Sequence, residues 1–358
     1  MKKAIVAVPY LSGKGGTETV IKNFYDAISK YSSKKLKWKL ISFGGSKYSD
    51  WMIEWPKQVY YFSNNRLIQY AFYSTLLPFL IGRILKREKP NYFISTNPII
   101  WSIAYKLRKR LSPNTKIISW YHYSFKMKRV KKRYLEKVDV FWAISNGIKS
   151  ELISMGINPD KIDIIYNPID INNKKNIRRS NNFNNFIYVG RIDYEGQKNV
   201  SELFKALGKL NNETWKCDLY GNIDTKTLRK LKNLKEKLNI SNHINFHGFS
   251  ENVWEKIKTA DCLILTSKYE GFPMVLCEAA CRGVSLISAN CPTGVEDIVS
   301  YKNGFLYSPG NFNELAQILK NVIEKKKLPN QQNVINSMNS FSYKNYVHKI
   351  LCSLDKIE

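Results

Sequence analysis

The sequence has few acidic residues for its length. It carries 29 Asp and Glu against 57 Lys and Arg among 358 residues, which gives a net charge of +28. An excess of this size favours anionic partners: a nucleotide diphosphate, an acidic membrane surface or nucleic acid. A solvated surface rich in lysine is the alternative that the charge alone leaves open.

A zinc-type set of cysteines and long apolar runs are also missing. Of the six cysteines only Cys277 and Cys281 lie within four residues of each other, which favours buried, reduced thiols in a cytosolic protein. The most apolar stretch, residues 71–85, contains Pro78 and Arg83 and is too short to span a bilayer, so no transmembrane helix is expected. The apolar run after Met1 is short and leads into glycine-rich sequence, which predicts a buried first strand rather than a signal peptide.

Short apolar strands alternate with helical patterns in both halves of the chain. A hydrophobic content of 44% excludes global disorder, and 358 residues predict two domains. The strands predicted in the first half are Ala4–Val8, Trp38–Phe43, Tyr92–Ser95, Ile117–Tyr121 and Val140–Ile144. Those predicted in the second half are Phe186–Gly190, Trp215–Tyr220, Ile244–Phe246, Cys262–Leu265, Leu286–Ser288 and Gly304–Tyr307. The helical patterns include Glu18–Tyr31, Leu67–Lys86 and Phe341–Leu354.

This alternation predicts an α/β protein with two doubly wound domains that face each other across a cleft. The first domain is expected over residues 1–170 and the second over residues 186–337. Residues 171–185 lie in a stretch rich in Asn, Lys, Arg and Ser, which is typical of a linker. Residues 338–358 form the last predicted helix.

Two glutamates frame the segment Glu270–Glu278. Gly-Phe-Pro follows the first, and an apolar run precedes the second. Because Pro favours the first turn of a helix, the pattern predicts a strand, a tight turn and a helix from near Pro273. A helix N-terminus suits a phosphate, and carboxylates accept hydrogen bonds from sugar and ribose hydroxyls. The combination indicates a nucleotide-sugar site.

Two further loops carry candidate residues. Gly13, Gly15 and Gly16 allow the main chain to approach a ligand just before a helix, although a plain tight turn explains them equally well. Arg191 and Lys198 bracket the loop after the first strand of the second half. Two cations there could neutralise a diphosphate without a metal, and two solvated basic residues are the alternative.

The histidines offer one candidate. His122 follows a predicted strand and would point toward the mouth of the cleft, with a core histidine as the alternative. His243 and His247 lie four residues apart on a predicted strand, whose alternating side chains would splay them, so a metal pair is not expected.

The segment Lys126–Lys137 contains seven cations and one acid, Glu136. We expect it to dock on an anionic membrane leaflet, where each cation near the surface contributes roughly 1 kcal/mol. A solvated helix face is the second interpretation. Nucleic acid is the third, because no helix-turn-helix, zinc or aromatic RNA-binding pattern accompanies the charge.

Taken together, three stretches resemble the GT-B glycosyltransferases of family 4, which retain anomeric configuration. They are Gly190–Lys198, Leu265–Met274 and Gly304–Gly310, which carry the Gly-Arg, Glu-Gly-Phe-Pro and Tyr-Ser-Pro-Gly motifs, and Glu278 completes the pair of glutamates. Among these enzymes, the chain resembles the lipopolysaccharide 1,6-galactosyltransferase type. The resemblance implies a GT-B fold whose last helix crosses back to the first domain, with that domain binding the acceptor.

The resemblance also implies a role for each candidate. Arg191 and Lys198 would bind the donor diphosphate, Glu270 would contact hydroxyls of the transferred sugar, and Glu278 would hold the ribose. The remaining contacts to sugar and phosphate would come from Gly15, Gly16, His122, Gly271, Phe272, Pro273, Met274 and Val275.

The function implied is transfer of a hexosyl group, expected to be galactosyl, from a UDP-sugar to a hydroxyl of a glycan or lipid-linked glycan precursor of the cell surface. No cofactor is expected, and the lack of a suitable Asp-x-Asp pattern fits metal independence. The enzyme would be cytoplasmic and peripheral at the inner face of the cell membrane, without a nucleic-acid partner. The alternatives are a UDP-glucose or UDP-N-acetylglucosamine donor, a UDP-sugar epimerase and a basic nucleic-acid-binding protein.

Overall fold

The computed structural model describes residues 1–32, 36–61, 66–172, 174–210, 214–325 and 327–357. The chain divides into two compact units. The first comprises Met1–Asp170 and Phe341–Glu358, and the second comprises Ile171–Ser340. Each unit contains one parallel sheet with helices, so the predicted α/β fold is confirmed.

The first unit is built on a seven-stranded parallel sheet. Its strands are β1 (Lys2–Leu11), β2 (Leu36–Ser46), β3 (Lys57–Tyr61), β4 (Tyr92–Ser95), β5 (Lys116–Ser119), β6 (Val140–Ala143) and β7 (Ile162–Ile164). They lie in the order β3-β2-β1-β4-β5-β6-β7. β4 and β6 are buried along their whole length, which explains their continuous apolar sequences. The chain order reverses between β1 and β4, where the ends of parallel strands leave room for a ligand.

The helices of the first unit include the last helix of the chain. They are α1 (Gly16–Tyr31), α2 (Arg66–Glu88), α3 (Pro98–Leu111), α4 (Lys132–Leu135), α5 (Asn146–Ser154) and, after the second unit, α13 (Tyr343–Asp355). Phe24 of α1 packs edge-on against Tyr346 of α13, with 5.9 Å between ring centroids. Trp142 of β6 donates a 2.8 Å hydrogen bond to Ser353. These buried contacts fix α13 on the first unit.

The second unit is built on a six-stranded parallel sheet. Its strands are β8 (Asn185–Val189), β9 (Lys216–Tyr220), β10 (Ile244–Gly248), β11 (Cys262–Leu265), β12 (Ser285–Ala289) and β13 (Gly304–Tyr307). The order is β10-β9-β8-β11-β12-β13, so the reversal lies between β8 and β11. The helices are α6 (Val200–Leu207), α7 (Thr225–Lys237), α8 (Val253–Lys256), α9 (Met274–Ala280), α10 (Val295–Ile298), α11 (Phe312–Lys325) and α12 (Gln331–Asn336).

The composition of residues 171–185 predicts a linker. In the structure, the described residues of this stretch form hydrogen bonds within the second unit. Ile177 is buried, Arg178 forms a bridge with Thr259, and Ser180 donates to the buried carboxylate of Asp261. Asn173 of this segment and Glu358 of the last predicted segment lie outside the described residues. The described part of this segment therefore belongs to the second unit.

Five of the six cysteines are buried thiols, but Cys352 is exposed because it lies on the outer side of α13. No helix among the described residues is long and apolar enough to cross a bilayer.

Candidate active site

The topology of the second unit brings two predicted site loops together. β8 and β11 are hydrogen-bonded neighbours at the point where the strand order reverses. The loop with Arg191 and Lys198 follows β8, and the turn with Glu270 follows β11. Since the carboxyl ends of parallel strands meet at one edge of a sheet, these loops meet there too.

The Lys198 ammonium and the Glu270 carboxylate form an ion pair at this edge. Nζ lies 2.6 Å from Oε1, and the two side chains are 18% and 9% exposed. The carboxylate of Asp193 fixes the main chain around Lys198, because it accepts the amide hydrogens of Lys198 at 3.0 Å and of Asn199 at 2.9 Å. Asn199 itself has a φ of +50°, a left-handed conformation that Asn tolerates better than most residues.

Gln197 connects Arg191 to the turn after β11. Its side-chain oxygen accepts from Arg191 Nη2 at 3.3 Å, and its side-chain nitrogen donates to the Tyr269 carbonyl at 3.1 Å. Its own carbonyl accepts from the Lys268 amide at 2.8 Å. The Arg191 side chain is 64% exposed, so its guanidinium remains open to an anion from solvent.

The segment from Gly271 to Val275 forms a supported turn and the start of α9. Phe272, Pro273 and Met274 are buried, whereas Gly271 and Val275 are partly exposed. Thr293 donates its hydroxyl hydrogen to the Glu270 carbonyl. A Cβ at position 294 would overlap the Gly271 carbonyl, and Gly294 has a φ of +77°, so only glycine fits there. The segment presents main chain rather than flexible side chains.

Glu278 lies on α9 with partners of its own. Trp254 of α8 donates from Nε1 to Glu278 Oε2 at 3.0 Å, and Arg282 donates to the Glu278 carbonyl at 2.8 Å. Burial raises the pKa of Glu278, while the Trp254 hydrogen bond and the charges of Arg282 and Lys174 act in the opposite direction. The hydrogen bonds of Glu278 and of Glu270 among the described residues go to different partners.

The glycine loop of the first unit is organised by Glu18. The Glu18 carboxylate accepts from the Gly13 amide at 2.7 Å and from the Ser12 hydroxyl at 3.0 Å. Gly13 has a φ of +95° and no room for a side chain, so the turn requires glycine at this position. A Cβ at Gly15 would lie 2.7 Å from the Glu18 carboxylate, whereas nothing lies within 4 Å of one at Gly16.

His122 is buried after β5, with its ring centroid 4.6 Å from that of Trp120. Burial lowers the pKa of His122 to about 3, so the imidazole is neutral at physiological pH. Neither ring nitrogen has a hydrogen-bond partner among the described residues. The loop is anchored by the buried carboxylate of Glu151, which accepts from the Ser124 hydroxyl at 2.6 Å and the Phe125 amide at 2.9 Å. A buried, unpaired imidazole suits hydrogen bonding to a ligand hydroxyl.

The two closely spaced histidines of the second unit have separate partners. His243 stacks on Trp215, and His247 lies 2.8 Å from Asp218. Within the described residues, no group of three or more His, Cys, Asp or Glu side chains could hold a metal ion.

The structure thus assembles Arg191, Lys198 and Glu270, and adds residues that the sequence analysis missed. Gln197 and Trp254 carry no recognisable signal, since an amide and an indole can bond almost anywhere. Gln197 finds its partners because β8 and β11 are neighbours in the sheet. Trp254 finds Glu278 because α8 lies beside α9.

Comparisons with known proteins agree with this architecture. A model of the family described as Glycosyltransferase Family 4 matches residues 15–173, and one described as Glycosyl transferases group 1 matches residues 170–347. A lipopolysaccharide 1,6-galactosyltransferase of Escherichia coli (strain K12) is 31% identical over 358 residues, 96% of each chain. One of Salmonella typhimurium is 31% identical over 328 residues, 87% of each chain.

Solved structures give the same fold. The apo form of the lipopolysaccharide outer core galactosyltransferase WaaB has a TM-score of 0.86 and 28% identity over 99% of both chains. Anabaena Alr3699/HepE in complex with UDP has a TM-score of 0.78 at 17% identity, over 99% of this chain and 100% of that one. The two Rossmann-like units of this chain, together with these relatives, define a GT-B glycosyltransferase that transfers hexosyl groups. The chain belongs to glycosyltransferase family 4, alongside the lipopolysaccharide 1,6-galactosyltransferases, and the predicted family and enzyme class are confirmed.

Proposed function

We propose that the enzyme transfers galactose from UDP-galactose to a hydroxyl of a lipopolysaccharide-type glycan, with retention of anomeric configuration and without a metal. The observation that carries the proposal is the pairing of Lys198 with Glu270 beside Arg191, at the carboxyl ends of β8 and β11. The galactosyl group and the acceptor come from the names of the relatives that match nearly the whole chain.

The cations have the chemistry to stabilise a leaving diphosphate. As the glycosidic bond to the donor breaks, negative charge develops on the phosphate oxygens. Arg191 is open to solvent and can donate two parallel hydrogen bonds to a phosphate, and Lys198 supplies a compact charge from the same loop. Positive groups held in place before the reaction are worth far more than mobile ions in water.

Glu270 has the chemistry to orient the transferred sugar. Its carboxylate is buried and fixed by Lys198, so it can accept hydrogen bonds from hexose hydroxyls in a defined geometry. For retention, the acceptor hydroxyl attacks from the face that the diphosphate leaves, and the departing diphosphate accepts its proton. This route makes charge stabilisation at Arg191 and Lys198 the main task of the site.

A donor screen tests the proposal directly. Purified enzyme with EDTA and a truncated lipopolysaccharide acceptor should release UDP from UDP-galactose in preference to UDP-glucose and UDP-N-acetylglucosamine. Proton NMR of the product should show the anomeric configuration of the donor. Loss of activity with EDTA would contradict metal independence, and isomerisation of the UDP-sugar without transfer would identify an epimerase. No calorimetric heat with millimolar UDP would contradict the donor class.

We also propose that the first unit binds an anionic membrane surface. α2 and α3 are in contact through Gly82 and Leu111, and Trp101 of α3 donates a 2.9 Å hydrogen bond to the carbonyl of Tyr134 in α4. The exposed cations on these elements and on the loop before α4 are Arg83, Lys86, Arg87, Lys106, Lys109, Arg110, Lys126, Lys128, Arg129, Lys131, Lys132 and Arg133. Large apolar side chains are exposed among them, including Leu76, Phe79 and Met127. Cations interspersed with apolar groups suit an acidic lipid interface.

Neutralising two of these cations should weaken membrane binding. Lys126→Gln with Lys132→Gln is expected to lower the affinity for vesicles containing phosphatidylglycerol about 30-fold, since each cation contributes roughly 1 kcal/mol. Sedimentation with vesicles measures the change. Lys226→Gln with Lys232→Gln on α7 is the matched control, because both residues are exposed in the second unit. The proposal would be contradicted if the wild type and the two double variants bound the anionic vesicles equally. It would also be contradicted if the wild type bound neutral vesicles as well as anionic ones.

A further inference from the structure

Trp254 contacts Glu278, the residue predicted to hold the ribose of the nucleotide. It lies on α8, which follows β10, and its indole Nε1 donates a 3.0 Å hydrogen bond to Glu278 Oε2 on α9. The two residues are 24 positions apart in the chain. The contact lies wholly within the second unit.

Arg282 completes this arrangement. Its guanidinium carbon lies 4.8 Å from the centroid of the Trp254 ring, and its Nη1 donates to the Glu278 carbonyl at 2.8 Å. The indole is therefore held through its edge by Glu278 and through its face by Arg282. This triangle restricts the rotation of the Trp254 side chain and, through it, of the Glu278 carboxylate.

The hydrogen bond occupies one oxygen of the carboxylate. No described residue donates a hydrogen bond to the other oxygen, Oε1. We propose that Trp254 is a positioning residue, which orients Glu278 so that Oε1 accepts a hydroxyl of the ribose of the donor nucleotide. This inference rests on the proposed function, because it requires a nucleoside diphosphate donor.

The same contact favours the ionised form of Glu278, which is the form that can accept from both the indole and a hydroxyl. Burial raises the pKa of this carboxyl group, and the charged groups that oppose the increase are Arg282 after α9 and Lys174 from the segment before β8. Cys277, its neighbour on α9, is a buried thiol whose own pKa is raised by burial. The ionised carboxylate accepts the ribose hydroxyl, so ribose binding is complete above the pKa of Glu278. Binding is lost as the pH falls through this pKa and the carboxylate is protonated. Removing the Trp254 donor should raise the pKa further and move this loss to higher pH.

Trp254→Phe tests the inference, because phenylalanine keeps a smaller aromatic ring near Arg282 and has no N–H to donate to Glu278. We expect the KM for UDP-galactose and the Kd of UDP to increase about five- to tenfold at pH 7.5, with kcat nearly unchanged. Calorimetry with UDP over a series of pH values should show the acidic loss of binding at a higher pH than in the wild type.

Two further variants separate positioning from a general structural effect. Trp215→Phe also removes a buried indole N–H, but one without a described partner, and it should leave KM and Kd unchanged. In a Glu278→Gln background, Trp254→Phe should have little additional effect on Kd, because both changes act through the same carboxylate.

The outcomes are distinguishable. If the wild type binds UDP but Trp254→Phe alters neither Kd nor its pH dependence, the inference is wrong and the proposed function stands. Additive effects of Trp254→Phe and Glu278→Gln would also overturn the inference. If the wild type gives no heat with millimolar UDP, the proposed function fails and the inference fails with it.

Discussion

Replacing Arg191 with alanine should lower turnover about 10²–10³-fold while the fold remains intact, because Arg191 would stabilise charge that develops only as the diphosphate leaves. The side chain is 64% exposed and makes a hydrogen bond with Gln197 and a long contact with Asp193, at 3.3 and 3.9 Å. Its removal therefore leaves no buried group unpaired. Steady-state kinetics with UDP-galactose, together with thermal denaturation, measures both parts of this expectation.

Arg229→Ala is the matched control for Arg191→Ala. Arg229 is an exposed arginine on α7 of the same unit, and its loss changes the net charge by the same amount. Turnover should remain at the wild-type level. If Arg191→Ala were as active as this control, Arg191 would have no part in the chemistry.

Breaking the ion pair between Lys198 and Glu270 should affect both stability and activity. Lys198→Met leaves the Glu270 carboxylate buried and without its ammonium partner, a change that typically costs about 3–5 kcal/mol of unfolding free energy. Adding Glu270→Gln removes the uncompensated charge, so the double variant should regain most of the stability. It should not regain activity, because in the proposed mechanism Lys198 binds the diphosphate and Glu270 binds the sugar. Urea denaturation and turnover measure the two effects separately.

Lys205 and Glu195 provide a control on the same loop and the helix after it. Their charged atoms are 3.7 Å apart, but the side chains are 41% and 58% exposed. Lys205→Met should therefore change the unfolding free energy by less than about 1 kcal/mol. If Lys198→Met changed the unfolding free energy as little as Lys205→Met, the pair would not contribute the stability assigned to it. Recovery of turnover in the double variant would contradict its proposed role in the reaction.

The convergence of Lys198 and Glu270 could be predicted from sequence because it follows from topology. Both residues come shortly after apolar strands of the same half, and parallel strands end at one edge of the sheet. The bridge by Gln197 could not be predicted in this way. Its partners depend on the conformation of two loops, and a glutamine amide has no preferred partner in sequence.

Elements without a strong apolar pattern were also missed. β3 has the sequence KQVYY, lies at the edge of its sheet and is only partly buried, so its apolar signal is weak. β7 has three residues and is too short for periodicity to identify. The segment around Ile177 is held by main-chain bonds, which do not depend on composition, and its polar sequence therefore indicated a linker.

Glu18 has a consequence for the cost of ordering the turn before α1. Because its carboxylate accepts hydrogen bonds from the Gly13 amide and the Ser12 hydroxyl, a side chain of the protein itself sets the shape of this turn. The conformational entropy lost in ordering the glycine at position 13 is thus part of the cost of folding. The freedom of this glycine belongs to the unfolded chain.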